Sequence, residues 1–151
     1  MSRTGRVADS YVEQLGNSQY ASVIQDGRGN TTANIEQTAQ ASNSDAYQEQ
    51  HGANSNAYIN QSAQFNVASQ YQDFGSGNRA AANQSGTRNS SFQDQVGTNN
   101  AADVRQTGTT SLAHQVQNGD SNLARTSQSY VNEWSTIVQR GNSNTALVRQ
   151  Y

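Results

Sequence analysis

Hydrophobic and polar residues alternate with the two-residue period of a β-strand in the segment 95–106, QVGTNNAADVRQ. Counting back in twos from Gln106 gives Val104, Ala102 and Asn100, whereas the intervening positions carry an arginine and an aspartate. Charged side chains face water, so the face that holds the glutamine and the asparagine is predicted to be the buried one. A soluble strand is thus expected to place amides in its core.

A glutamine recurs at this position along the whole chain. Thirteen such residues are separated by twelve intervals, of which nine are eleven residues long, two are twelve and one is thirteen. A compositional bias toward glutamine does not produce such regular spacing, so the pattern indicates an internal repeat. The repeated residues are Gln14, Gln25, Gln37, Gln50, Gln61, Gln72, Gln84, Gln95, Gln106, Gln117, Gln128, Gln139 and Gln150.

Three further positions keep the same register. Every residue four before a repeated glutamine is Ala or Ser. Asparagine stands six before at Asn66, Asn78, Asn89, Asn100, Asn122 and Asn144. Glycine stands two after at Gly16, Gly27, Gly52, Gly86, Gly97, Gly108, Gly119 and Gly141. Each unit is therefore interpreted as one short strand of pattern N-x-A-x-V/Q-x-Q followed by a tight turn near the glycine, and the longer intervals add residues only in that turn.

Bulky and charged residues avoid the predicted inward positions. None of the eleven aromatic residues lies there, and Glu133 is the only one of twenty charged residues that does. The interior is therefore predicted to be narrow and uncharged.

Successive units differ in the residue two before the glutamine. Glutamine occupies it on alternate strands, at Gln48, Gln70, Gln93 and Gln115, and the strands between carry residues such as Ile59. The true repeat is thus about 22 residues, or two strands. The predicted fold is all-β: a β-solenoid of thirteen short strands in two facing parallel sheets. Its six and a half two-strand rungs would form a stack roughly 31 Å long at ~4.8 Å per rung.

Composition limits the classes of protein that remain. Residues 8–151 are predicted to form one repeat domain after an N-terminal extension, 1–7. A chain with 32% hydrophobic residues resembles a disordered polar tract, but the strict register argues against disorder. The net charge of −2 disfavours a nucleic-acid partner, and no apolar run is long enough to insert into a membrane. No signal peptide is visible, so a secreted protein would be seen here in its mature form.

Buried amides are tolerable only if they are paired. An unpaired buried amide costs on the order of 1–3 kcal/mol, but identical residues ~4.8 Å apart can donate to one neighbour and accept from the other. Such ladders end on unpaired amides and backbone groups, and the glutamine register extends too close to the chain ends for a capping segment. Another copy is therefore expected to add head to tail. Seven strands against six imply that neighbouring copies are rotated by about half a turn. Alternatively, residues 1–7 form an extra strand, or the first strand is unpaired.

The remaining chemistry is sparse. His51 and His114 are interpreted as surface residues, and the DGRGN and NGDSN segments as turns, so no metal or cofactor is predicted. No Ser–His–Asp arrangement can be argued in so thin a core, and no catalytic residue or enzymatic activity is expected. A soluble solenoid that binds ice or another surface remains an alternative, although its outward columns lack the regular threonine ranks such a surface needs.

The segment Gln95-x-Gly97-x-x-Asn100-x-Ala102-x-x-x-Gln106 resembles the repeat of curlins, the subunits of curli fibres, and the resemblance covers about residues 8–151. It implies a structural subunit of extracellular functional amyloid fibres in the biofilm matrix, which mediate adhesion and cell aggregation. The implied partners are further copies, a nucleator curlin, a secretion pore and accessory proteins.

The chain resembles a major subunit more than the nucleator, because its final residues, RQY, keep the glutamine register of the repeat. The nucleator is the alternative. Two features depart from the family. Thirteen half-repeats exceed the usual ten, and Tyr130 and Glu133 interrupt the turn and the asparagine column at strand twelve. That rung is expected to be the weakest.

Overall fold

The computed structural model describes residues 8–26 and 29–151, so the proposed extension 1–7 and the predicted turn residue Gly27 lie outside the described residues. The described chain contains thirteen strands and no helix. In chain order, the strands are β1 (Ala8–Gln14), β2 (Tyr20–Gln25), β3 (Thr31–Gln37), β4 (Asp45–Gln50), β5 (Asn56–Gln61), β6 (Val67–Asp73), β7 (Arg79–Gln84), β8 (Ser90–Val96), β9 (Ala101–Gln106), β10 (Leu112–Asn118), β11 (Leu123–Gln128), β12 (Trp134–Arg140) and β13 (Thr145–Gln150).

The strands form two parallel sheets, as the repeat pattern predicted. The odd-numbered strands make a seven-stranded sheet in the order β1 to β13, and the even-numbered strands make a six-stranded sheet in the order β2 to β12. Consecutive strands therefore alternate between sheets, and the chain climbs as a β-solenoid of about six turns. The interpretation that the first strand is unpaired is wrong, because β1 pairs with β3 along its whole length.

Every repeated glutamine pairs with the next one in its sheet. Between β9 and β11, for example, Gln106 lies opposite Gln128 and Ala102 lies opposite Ala124. This register keeps each inward column on one face of its sheet for the whole stack, because a shift by one residue would exchange the inner and outer faces.

The core between the sheets is thin and consists of small and aliphatic residues interleaved with amides. Its apolar cluster joins Ile35 and Ile59 of one sheet to Ala46 and Ala68 of the other, with Ala82 completing it. Small residues thus lie opposite large ones, which lets the two sheets approach closely. The large exposed hydrophobic side chains, such as the 70%-exposed Trp134, lie outside this core.

Glycines allow the turns of adjacent rungs to stack. A Cβ added to Gly86 would lie 1.6 Å from the carbonyl oxygen of Gly108 in the turn above, so only glycine fits there. A second reason for glycine applies to Gly97, Gly119 and Gly141, whose φ is positive. Gly16, Gly52, Gly86 and Gly108 are not among the positive-φ glycines.

A left-handed residue that the sequence did not reveal occurs near the end of nearly every turn. It lies one position before the asparagine column, with φ of 58° at Phe65 and 56° at Arg88. These residue types rarely adopt that conformation alone, so the stacking of the turns must impose it.

The interrupted turn at strand twelve still completes its rung. Tyr130 replaces the glycine, and its backbone N–H donates to the Glu133 carboxylate, 2.9 Å away. The strand that follows pairs with β10 over all seven residues. Whether this rung is the weakest stays a prediction.

Candidate functional site: the buried amide ladders

The repeated glutamines form one continuous ladder in each sheet. In the seven-stranded sheet, the Nε2 of each residue donates to the Oε1 of the next, at 2.8–3.0 Å, from Gln14 through to Gln150. In the six-stranded sheet, the same bonds run from Gln25 to Gln139 at 2.7–3.0 Å. Every bond points the same way, with the amide donating toward the C-terminal end of the stack.

In every repeated glutamine except Gln14, an Nε2 proton also bonds across the core. Gln106 donates to the carbonyl oxygen of Ser90, 3.0 Å away at the start of β8, and also to that of Ser111, just before β10. Gln95 donates in the same way to Arg79 at 3.0 Å. The end of a strand in one sheet therefore lies opposite the start of a strand in the other. Each interior glutamine links its own sheet axially and also ties the two sheets together.

A third, shorter ladder fills the middle of the six-stranded sheet. Gln48, Gln70, Gln93 and Gln115 are fully buried and are joined by bonds of 2.7–3.1 Å. The ladder ends when Gln115 donates to the Thr126 hydroxyl in the facing sheet, at 3.0 Å. At its start the buried Oε1 of Gln48 has no hydrogen-bond partner among the residues that the structure describes.

The asparagine column differs from the amide-to-amide ladder that the sequence analysis expected. Asn100 Oδ1 accepts from the backbone N–H of Asn122 on the next rung at 3.0 Å, and Asn100 Nδ2 donates to the carbonyl oxygen of Gly119 at 2.7 Å. Asn78 and Asn89 repeat this arrangement. The shorter side chain does not span the core, so it bonds the backbone of the turn instead. These residues therefore brace the turns, and only Asn144 also donates to the amide oxygen of Asn122.

The remaining predicted members of that column have their own contacts. Asn66 Oδ1 accepts from the N–H of Asn89 at 2.9 Å, and its Nδ2 donates to the carbonyl oxygen of Ala63 at 3.0 Å. In the N-terminal half, serines such as Ser44 occupy this position, and Ser44 Oγ donates to the same carbonyl oxygen at 3.1 Å. The bracing by asparagine therefore belongs mainly to the C-terminal half of the stack.

Both ends of the ladders carry unused hydrogen-bonding capacity. Within the described part of the chain, the side-chain oxygens of Gln14 and Gln25 accept no hydrogen bond. At the other end, the Nε2 groups of Gln139 and Gln150 each donate across the core, to Leu123 and Trp134, but to no further amide. One end of the stack thus presents acceptors and the other presents donors.

Aromatic residues form a stripe on the outer face of the six-stranded sheet. The rings of Tyr47, Tyr71, Phe92 and His114 follow one another with centroids 5.0–5.8 Å apart. These residues cover four adjacent strands, so the stripe runs along the stack axis.

His51, which the sequence analysis interpreted as a surface residue, lies beside two carboxylates. Its Nε2 contacts the Glu49 carboxylate and lies 3.9 Å from Asp73. The hydrogen bond to Glu49 raises the pKa of His51 above 6.5, with further contributions from the charges of Asp73 and Asp26. Hydrogen bonds from Tyr47 and His51 lower the pKa of Glu49 below 4.5. The sequence interpretation overlooked that residues two apart on a strand share a face.

No other feature of the described residues suggests catalysis or metal binding. No group of three or more His, Asp or Glu residues there is arranged to hold a metal ion. The surface groove between Asn60, Asn83 and Arg105 is open and polar. The described chain also contains no helix long and apolar enough to cross a membrane.

A two-strand unit repeated in register, with its core closed by amide ladders, defines a structural β-solenoid protein. Residues 75–108 match the family model of the curlin associated repeat. This match, which spans β7 to β9, supports assignment of the chain to the curlin family. Neither a curated protein nor a solved structure matches the chain significantly. The repeat and the fold together indicate a curli-type structural subunit and point away from an enzyme.

Proposed function

We propose that the protein is the structural subunit of extracellular, curli-type amyloid fibres and assembles head to tail. The observation that carries this proposal is the polarity of the ladders. Acceptors of Gln14 and Gln25 lie at one end of the stack, and donors of Gln139 and Gln150 lie at the other. A second copy in the same orientation supplies the missing partner at each position, whereas an inverted copy places donor against donor.

The backbone edges favour the same assembly. The outer edges of β1, β2, β12 and β13 pair with no strand among the described residues. Strand edges of this kind are templates for another chain, and stacking continues the parallel pairing already present inside the molecule. In the fibre the ladders would run without interruption through many copies, which gives a cross-β structure with its strands perpendicular to the fibre axis.

The wider role follows from the family. We propose that the fibres lie in the biofilm matrix and mediate adhesion and cell aggregation, with a nucleator curlin, a secretion pore and accessory proteins as partners. The chain fits the major subunit better than the nucleator. β13 keeps the inward pattern, and Gln150 continues the ladder from Gln128 at 2.9 Å.

Seeded assembly tests the proposal. Purified protein, followed with an amyloid-binding dye, is expected to show a lag that preformed fibres abolish, and the fibres are expected to diffract at ~4.8 Å along their axis. Seeds sonicated from an unrelated amyloid are the control. A β-rich protein that stays monomeric at high concentration, with or without seeds, would contradict the proposal and favour a soluble surface-binding solenoid.

A further inference from the structure

Charge is distributed unequally along the stack. Residues 1–75 carry seven acidic residues and three arginines, a net charge of −4. Residues 76–151 carry six arginines and four acidic residues, a net charge of +2. The three arginines of the first segment lie outside the described residues, and the rungs follow the chain order, so the seven acidic residues lie toward one end of the stack and the six arginines toward the other. The described part of the stack is therefore acidic toward its N-terminal end and more basic toward its C-terminal end.

The two end rungs show the same segregation. β1 contains Asp9 and Glu13 and no basic residue, β2 contains no charged residue, and Asp26 follows directly after β2. β12 and β13 contain arginines but no acidic residues. The charged side chains of the edge strands, with Asp26, are exposed or half-exposed: Asp9, Glu13 and Asp26 at one end, and Arg140 and Arg149 at the other, where Glu133 directly precedes β12.

We propose that this charge polarity, added to the ladder polarity, selects the docking surface and the rotation of the next copy. The basic edge of β12 and β13 docks on the acidic edge of β1 and β2 of a second copy rotated by about half a turn. Arg140 then meets Glu13, and Arg149 meets Asp26. This inference deepens the proposed function and rests on it.

The rotation follows from the seven strands of one sheet and the six of the other. β13 covers only half of the uppermost rung, so the vacant position lies above β12. If the next copy is rotated, its β1 fills that position and its β2 covers β13. An unrotated copy would set β1 on β13 and leave an empty half-rung between β12 and β2, with unpaired backbone groups on both sides.

Aligning the repeated glutamines gives matching inward columns across this interface. Gln139 faces Gln14, with Ile137 against Val12 one inward position earlier. On the other sheet Gln150 likewise aligns with Gln25. The free Nε2 protons of one copy thus meet the free Oε1 atoms of the next.

The same alignment sets the charge pairs. Arg140 lies on the strand next to Glu13 and two positions further along, which makes the two residues diagonal neighbours. Long side chains bridge this separation, and Tyr58 already reaches its diagonal neighbour Glu36 within the molecule, at 3.0 Å. In an unrotated fibre, Glu13 would instead lie directly opposite Arg149.

Charge-reversal variants distinguish the rotated from the unrotated arrangement of neighbouring copies. E13R and R140E are each expected to slow seeded elongation about three- to tenfold in 10 mM salt, and much less in 0.5 M salt, where the Debye length is only a few ångströms. The double variant E13R/R140E is expected to return to within about twofold of the unaltered protein, because its reversed charges pair again. R105E makes the same charge change as R140E, away from both edges, and is expected to stay within about twofold of the unaltered protein in the same 10 mM salt.

Rescue identifies an intermolecular contact. Glu13 on β1 and Arg140 on β12 lie at opposite ends of the stack, so one substitution cannot repair the fold around the other. Rescue by E13R/R149E in place of E13R/R140E would overturn the half-turn rotation. Single variants that behave like R105E would overturn the charge-guided docking. If the unaltered protein formed no seedable fibres, the proposed function itself would fail, and this inference with it.

Discussion

Removing one interior rung of a glutamine ladder gives the largest predicted loss of stability. Gln84 is fully buried, and its Nε2 donates to the Oε1 of Gln106 and to the carbonyl oxygen of Val67, both at 2.9 Å. Its Oε1 accepts from Gln61 at 3.0 Å. Methionine has a similar shape but forms no hydrogen bond with any of these three partners. Taking 1–2 kcal/mol for each of three partners left unpaired, Q84M is expected to lower the free energy of unfolding by about 3–6 kcal/mol.

That loss is a large share of the roughly 5–15 kcal/mol that stabilises a domain. The assay is guanidinium unfolding of dilute, unassembled protein followed by far-UV circular dichroism. Q14M is the matched control in the same ladder, because Gln14 is exposed and, among the described residues, donates only to Gln37. It is expected to cost about 0.5–1 kcal/mol. Equal effects of Q84M and Q14M would refute the idea that buried ladder bonds stabilise the fold.

Three further substitutions or conditions test separate parts of the structure. V23Q is expected to raise the free energy of unfolding by about 1 kcal/mol, because the new amide donates to the unpaired Oε1 of Gln48. G86A is expected to lower it by about 1–3 kcal/mol or more, because the new Cβ would clash with the Gly108 carbonyl. The ion pair of His51 is expected to stabilise most between about pH 4.5 and 6.5, measured as the unfolding midpoint across pH.

Each of these has a matched control. V12Q places an amide beside the apolar Ile35 side chain, which offers no acceptor, and is expected not to raise the free energy of unfolding. For G86A, the control is G16A, whose Cβ would come no closer than 2.7 Å to another heavy atom, the side-chain Nε2 of Gln19. Equal effects within either pair would contradict the corresponding explanation.

The sign of the pH effect follows from both groups of the pair. The raised pKa of His51 means that its contribution is complete below about pH 6.5 and is lost as the pH rises through the raised value. The lowered pKa of Glu49 means that its contribution is present above about pH 4.5 and is lost as the pH falls through the lowered value. H51Q is expected to remove the fall in the unfolding midpoint at the high-pH side. An unchanged dependence of the midpoint on pH in that variant would contradict the role given to His51.

The spacing of one residue type was enough to predict the strands, their parallel register and the division into two sheets. Gln106 and Gln128 are 22 residues apart and lie opposite each other, because each two-strand turn returns the chain to the same column. Inward and outward faces followed from the strand period. The strand ends were equally clear, because every repeated glutamine lies at or next to the last residue of its strand.

The sequence could not show which groups each side-chain amide hydrogen-bonds. A periodic column indicates that Asn100 is buried, but the length of its side chain decides that it bonds the turn backbone rather than another amide. The left-handed conformation of Phe65 and Arg88 was equally hidden, because stacking of the turns imposes it against local preference. Contacts between columns, such as His51 with Asp73, appear only when neighbouring strands are aligned.

Hydrogen exchange of glutamine side chains tests the central claim most directly. The chain has twenty glutamines, of which fourteen are buried. Protein labelled with ¹⁵N in its glutamine amides is transferred into D₂O, and the remaining Nε2 protons are counted by NMR. Stacked ladders predict that these fourteen side chains keep their protons far longer than the other six. Rapid exchange of all twenty, at the rate of a free glutamine, would contradict the ladders and the fold built on them.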